Sequence, residues 1–184
     1  MCRCGAAARG RIWSNGVVPE SSPVLIAVLL VAYLPPAVVL SWIDGRERRL
    51  PNRWVAGLTV AVALPLLGLA LAVPDLRPGL RTAAALALVL GLGAIVMSLI
   101  APPLLGMGDA KTVPAVVLMS GALGTEVLIA ALLGIALVGG AVGTAVIAAT
   151  RRAGVRFALG PVLLGGPFLG LLGAPVVSAA LGTG

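Results

Sequence analysis

Six apolar runs, separated by short polar or basic segments, make up most of the chain between residues 24 and 181. An α-helix needs roughly 20 apolar residues to cross the hydrocarbon core of a bilayer, and five of the six runs reach that length. Helices are favoured over strands because an apolar helix satisfies its own backbone polar groups within the membrane. The pattern predicts an all-α integral membrane protein with about six transmembrane helices in one bundle. The predicted spans are 24–43, 54–73, 82–101, 112–124, 127–149 and 157–181.

Composition supports the membrane class. Of 184 residues, 60% are hydrophobic and only 10% are charged, whereas an average soluble domain is about 45–50% apolar and about 25% charged. The formal net charge is +7, but the basic residues cluster between apolar runs. They are therefore interpreted as topology signals and contacts to anionic lipid, and no nucleic-acid partner is expected.

Three of the predicted spans are irregular. The fourth, 112–124, has only 13 residues, or 16 when counted from Asp109, so it crosses only where the membrane thins or where its ends lie in a wet cavity. Pro35 and Pro36 predict a kink in the first span, since proline removes a helix hydrogen bond. The segments Gly160-Pro161 and Gly165-Gly166-Pro167 predict that the sixth span is broken or re-entrant near its start.

The chain divides into a polar N-terminal tail, residues 1–22, and a membrane domain, residues 23–182. We expect the tail to be poorly ordered. Cys2 and Cys4 lie within it, and the chain has no His. Because a metal site needs about four suitably spaced ligands, neither a metal nor another cofactor is expected.

Six spans place both chain termini on one side of the membrane. With the N-terminus outside, the inner loops hold eight of the 13 basic residues and the outer segments hold five. Three of those five arginines lie in the N-terminal tail and count against this orientation. Asp44 ends the first span and Asp109 begins the fourth. Because successive spans cross the membrane in alternating directions, both aspartates lie at the same boundary, which is the cytoplasmic one in this topology.

These two aspartates are the chain's candidate reactive groups. Asp109 lies in the segment Gly106–Lys111, which reads Gly-Met-Gly-Asp-Ala-Lys, and its glycines leave the neighbouring backbone uncrowded. Paired carboxylates can hydrolyse a peptide bond, because the ionised member takes a proton from water while the protonated member donates to the carbonyl oxygen. Mutual repulsion and desolvation raise a pKa in such a pair, which then titrates as a unit.

Each aspartate also has a simpler interpretation. Asp109 precedes a helix and so could be its N-cap. Asp44 could be a solvated loop residue paired with Arg46 or Arg48. Acids at a membrane boundary indicate function when they face the interior of the bundle.

Three segments carry a resemblance to a known family. Asp44 is followed by Arg-Leu-Pro-Asn at residues 49–52, Gly106–Lys111 fits the pattern G-x-G-D-x-K, and residues 157–163 read Phe-Ala-Leu-Gly-Pro-Val-Leu. In this order they resemble the motifs of the type IV prepilin peptidases, the third more loosely than the first two. The resemblance extends from about residue 24 to residue 181.

This resemblance implies a polytopic aspartic endopeptidase at the cytoplasmic face of the cell membrane. Its substrates would be prepilin-like proteins, with a short basic leader that ends in glycine and precedes an apolar helix. The implied catalytic pair is Asp44 and Asp109. The implied loop-shaping and substrate-binding residues are Gly106, Gly108, Lys111, Pro51 and Asn52.

Larger members of that family add a cytoplasmic insert with two C-x-x-C pairs and an N-methyltransferase activity. This chain has no such insert, so we expect a peptidase without methylation. It looks most like the short members that process Tad-type (Flp) prepilins or archaeal preflagellins. Two alternatives from other classes are a small transporter or channel subunit whose boundary aspartates relay protons, and a structural membrane subunit in which both aspartates are freely replaceable.

Overall fold

The computed structural model describes residues 23–47, 51–100, 106–150 and 159–182. The N-terminal tail with Cys2 and Cys4, the loop positions Arg49 and Leu50, and residues 157–158 of the third motif lie outside these ranges. The described part of the chain is helical and contains no strand. Its α-helices are α1 (Pro23–Val28), α2 (Leu34–Glu47), α3 (Asn52–Ala72), α4 (Arg77–Ile100), α5 (Met107–Leu123), α6 (Thr125–Thr150), α7 (Gly160–Leu164) and α8 (Gly166–Leu181).

Within the described ranges, four helices are long and apolar enough to cross a membrane. They span Pro23–Arg46, Asn52–Ala72, Pro74–Ile100 and Thr125–Thr150. Large apolar side chains project outward from them, with Val31 76% exposed and Leu137 73% exposed. Such surfaces need a lipid environment or a partner, which agrees with the predicted class of an all-helical membrane bundle.

The other two predicted spans correspond to shorter helices. α5 has 17 residues and α8 has 16, both below the roughly 20 residues of a straight crossing. The predicted start of the fourth span at residue 112 was wrong, because the helix already begins at Met107. Asp109 lies in the first turn of α5 and Lys111 follows that turn, and both charged side chains are partly exposed there.

The helix of the sixth predicted span is interrupted, as predicted, and the interruption lies at Gly165, in the second of the two glycine–proline segments. Gly160 and Pro161 instead begin α7, and α8 starts at Gly166. Pro167 has no N–H with which to continue the hydrogen-bond ladder across this point. The chain therefore passes from α7 to α8 through a single residue.

A π-helical segment, Leu29–Tyr33, joins α1 to α2 immediately before Pro35 and Pro36. The N–H of Leu34 donates to the C=O of Leu29, five residues earlier. This wider turn accommodates the two prolines, so the irregularity expected from them takes the form of a π turn while the helix continues.

The short helix α5 lies at the centre of the bundle, where it packs against α3, α4, α6, α7 and α8. Ala115, Met119 and Leu123 are fully buried along it. It ends at Gly124, whose φ of 144° is in the range that favours glycine, and α6 begins at the next residue. α5 and α6 thus form a tight helical hairpin.

Close approach of α4 to α5 depends on Gly91. A Cβ on Gly91 would overlap the ring of Pro114, 2.5 Å from its Cγ, whereas a Cβ on Gly93 would have nothing within 4 Å. Gly91 is therefore a contact point between α4 and α5, whereas Gly93 is not. Proline cannot move its ring aside by changing rotamer, so this site is sterically closed.

Replacing Gly91 by Ala should destabilise the protein by about 1–3 kcal/mol through overpacking. The matched variant Gly93→Ala should be neutral or stabilising by up to about 1 kcal/mol, because Ala is the better helix former. Thermal unfolding of the purified protein in detergent measures both. Equal midpoints for the two variants would contradict the close α4–α5 contact.

Candidate active site

Asp44 lies on the buried face of α2. Together with Tyr33, Ala37 and Leu40 it follows helical spacing, and all four side chains are buried, Asp44 being 6% exposed. The alternative of a solvated loop residue is therefore wrong for Asp44, because the preceding apolar run continues as helix through it and turns its carboxyl inward. Arg46 lies instead over the indole of Trp42, 4.4 Å from the ring centroid.

The buried carboxyl of Asp44 accepts a hydrogen bond from the backbone N–H of Gly160, with 3.1 Å between the nitrogen and Oδ2. Gly160 is the first residue of α7, so its N–H has no partner within that helix. A Cβ on Gly160 would overlap Oδ2 of Asp44 and lie 2.9 Å from its Cγ. Only glycine fits this contact without displacing the carboxyl.

Sequence reasoning assigned Gly160 to a helix break and to the loosest of the three motif segments, and missed its contact with Asp44. The available signal was a glycine followed by proline at a helix start, a position where a backbone N–H is left free. Which acceptor it meets depends on tertiary packing, because 116 residues separate the two partners.

Asp109 is the third residue of α5 and is half-buried. Gly106, not Asp109, occupies the N-cap position, so the N-cap alternative for Asp109 is wrong. The Asp109 side chain turns back over Gly106, where a Cβ would lie 3.4 Å from Oδ2. Gly106 is exposed and Gly108 is partly exposed, which leaves the backbone beside the carboxyl accessible, as the two glycines predicted.

Burial and the negative charge of Asp44 raise the pKa of Asp109 to about 6, burial being the larger cause. The first turn of a helix by itself favours an ionised carboxylate, so these two effects outweigh the helix dipole. Asp109 lies outside the four membrane-length helices. The two carboxyls are near enough for one charge to act on the other, although they come from the end of α2 and the start of α5.

The remaining predicted site residues lie where α3 and α5 begin. Lys111 Nζ donates to Oδ1 of Asn52 over 2.9 Å. Pro51 precedes α3, and its C=O accepts from the N–H groups of Trp54 and Val55 at 3.0 and 3.3 Å. The Pro-Asn step of the first motif is thereby joined to the Lys of the second across 59 residues of sequence.

An open apolar cavity of about 400 Å³ runs along α2. Its lining comes from α2 and from the α7–α8 segment: Leu34, Ala37, Val38, Ser41, Trp42, Pro161, Leu164, Gly165 and Phe168. Gly160 directly precedes the lining residue Pro161, and Asp44 lies two residues after the lining residue Trp42. Among the described residues, no three Asp, Glu, Cys or His side chains are grouped in the manner of metal ligands.

Comparison with known proteins adds no assignment. No protein-family model matches the chain, and neither a curated protein nor a solved structure matches it.

Replacing Asp44 by Asn should lower the pKa of Asp109 below about 6, because one of its two causes is removed while burial remains. Infrared titration of the protonated-carboxyl band measures this pKa, with the Asp109→Asn protein identifying the band. Asp75→Asn, which alters an acid in the short 3₁₀ turn Pro74–Leu76, is the control and should leave the midpoint unchanged. An unshifted midpoint in Asp44→Asn would mean that the carboxyls do not interact.

Proposed function

We propose that this chain is a membrane-embedded aspartic endopeptidase that removes the leader from type IV prepilin-like substrates. The observation that carries the proposal is the convergence of the three motif segments at one end of the bundle. Asp44 receives a hydrogen bond from Gly160, its charge acts on Asp109, and Lys111 binds Asn52. These contacts link residues of the first motif to residues of the second and third.

In the proposed reaction the carboxyl pair holds one proton. The ionised carboxylate takes a proton from water as the water oxygen bonds to the scissile carbonyl carbon, and the protonated partner donates its proton to the carbonyl oxygen. When the tetrahedral intermediate collapses, the C–N bond breaks, the first carboxyl returns its proton to the leaving nitrogen, and the partner carboxylate takes a proton back from a hydroxyl of the intermediate, so the pair again holds one proton. Water is the only co-reactant.

A raised pKa at Asp109 favours this chemistry because it keeps a proton in the pair closer to neutral pH. An apolar substrate segment that covers the site would exclude water and raise that pKa further. Asp44 is the better candidate for the ionised member, since the N–H of Gly160 stabilises negative charge on its oxygen.

The proposed topology has six crossings, with the N-terminus outside and the aspartates at the cytoplasmic boundary. In this arrangement α5 and the α7–α8 segment complete the bundle as the two shorter crossings. The substrate's apolar helix would enter from the lipid along the cavity beside α2, and its basic leader would remain at the cytoplasmic surface near the carboxyls. No methyl transfer is proposed, and the surrounding lipid is the other expected partner.

Asp44→Asn and Asp109→Asn should each lower the rate of leader cleavage by at least about 10³-fold, because neither variant retains a shared proton between two carboxyls. Cleavage of a prepilin-like substrate in proteoliposomes, followed by mass spectrometry of the released leader, measures the rate. Asp75→Asn is the matched control and should cleave at the wild-type rate. Full cleavage by Asp44→Asn would eliminate the carboxyl-pair mechanism, whereas a wild-type protein that cleaves no prepilin would leave a transport or structural role.

Val38 and Val39 test the proposed path of the substrate helix. Both are on α2 and exposed, at 58% and 40%, but only Val38 lines the cavity. Val38→Trp should fill the cavity and raise KM for the prepilin by about tenfold or more with a smaller effect on kcat. Val39→Trp should leave both constants near wild type, and equal KM values for the two variants would argue against entry along this cavity.

A further inference from the structure

Tyr33 forms a buried contact that the proposed reaction does not use directly. Its hydroxyl donates to the backbone C=O of Leu164 over 2.8 Å, and its side chain is fully buried. The ring lies at a tilt of 52° to that of Phe168, with 6.3 Å between centroids. Tyr33 is thus held by a hydrogen bond to the last residue of α7 and by an aromatic contact with a residue of α8.

The C=O of Leu164 has no continuing helix to supply its partner. In an unbroken helix it would accept from the N–H of Phe168, but that N–H donates to Gly165 over 3.1 Å. Leu164 is 2% exposed, and a buried carbonyl without a partner costs about 1–3 kcal/mol. Tyr33 satisfies the carbonyl that the break at Gly165 leaves free.

One face of the helical segment Pro23–Arg46 contacts both ends of α7. Tyr33 and Asp44 are 11 residues apart, which is close to three helical turns, so their side chains project in the same direction. Tyr33 binds Leu164 at the end of α7, and Asp44 binds Gly160 at its start. Because α7 has only five residues, its placement at one end constrains the other.

We propose that Tyr33 is a positioning residue that acts through α7, fixing the N–H of Gly160 on Asp44 and thereby aiming the Asp44 carboxyl at Asp109. This inference rests on the proposed function for its catalytic consequence. Tyr33 touches neither carboxyl, and its effect is transmitted through the five residues of α7 to the hydrogen bond on Oδ2 of Asp44.

The test is Tyr33→Phe, which removes the hydroxyl and keeps the ring that packs against Phe168. We expect kcat for leader cleavage to fall by about tenfold, the effect of one lost buried hydrogen bond, with KM within about twofold of wild type. The infrared midpoint of Asp109 should also fall. The reason is that a displaced or neutralised Asp44 exerts less repulsion on the Asp109 carboxyl. A general loss of stability would not lower the Asp109 midpoint.

Ser120→Ala is the matched control. Ser120 carries a buried hydroxyl on α5 without a hydrogen-bond partner in the part of the chain described, so its removal should leave kcat and the Asp109 midpoint unchanged. A double-mutant cycle with Gly160→Ala, read on the same midpoint, tests the route of the effect. If Tyr33 acts through Gly160, adding Tyr33→Phe to Gly160→Ala should cause no further shift.

The outcomes separate this inference from the proposed function. A Tyr33→Phe protein with wild-type kcat and midpoint, or with slower cleavage at an unchanged midpoint, would overturn the positioning role while leaving the peptidase intact. Tyr33→Phe and Gly160→Ala could each shift the Asp109 midpoint fully, with the two shifts adding in the double variant. That result would overturn transmission through Gly160. A wild-type protein that cleaves no prepilin would overturn the proposed function, while the midpoint shift would still decide whether Tyr33 positions Asp44.

Discussion

Backbone groups freed by proline and glycine inside an apolar bundle must find partners, and this requirement organises the candidate site. Two such groups flank α7: the N–H of Gly160 meets Asp44, and the C=O of Leu164 meets Tyr33. At the C-terminal end of α3, Arg77 donates to the carbonyls of Ala70 and Leu71 over 2.7 and 3.0 Å. Where little water is present, the free backbone groups at each helix interruption or end need a polar side chain as their hydrogen-bond partner. The break at Gly165 and the aspartate on α2 are thus parts of one hydrogen-bonded arrangement.

The electrostatics of Asp109 show which physical effect dominates at the start of α5. A carboxylate in a first helical turn gains from the helix dipole, typically about 0.3–1 kcal/mol. Its raised pKa means that burial, helped by the charge of Asp44, more than cancels this gain. A half-buried acid that keeps its proton near pH 6 suits proton donation, and the neighbouring backbone of Gly106 stays open. These properties are what a proton-sharing carboxyl pair requires.

Much of the helical order follows from hydropathy, because long apolar runs must be helical in a membrane. The α6 start near residue 127 and the α3 start near residue 54 were predicted within two residues. Hydropathy did not predict the start of α5, because Gly108, Asp109 and Lys111 are not apolar yet belong to the helix. It also could not locate the π turn, which reflects a local adjustment to Pro35 and Pro36. Asp44 and Asp109 were identifiable from residue type and spacing, whereas the contacts of Gly160 and Asn52 depend on which helices become neighbours.

The one-residue junction at Gly124 gives the α5–α6 hairpin a mechanical property. Asp109 lies 14 residues from Leu123, so it is at the end of a rigid arm about 21 Å long. A tilt of about 5° at Gly124 would move its carboxyl by about 2 Å, and misplacement of a reacting group by about 1 Å can cost 10²-fold in rate. The packing that holds this arm is distributed along it, at Ala115, Met119 and Leu123. Alignment of the carboxyls therefore depends on the angular stiffness of the whole bundle, including its end farthest from the site.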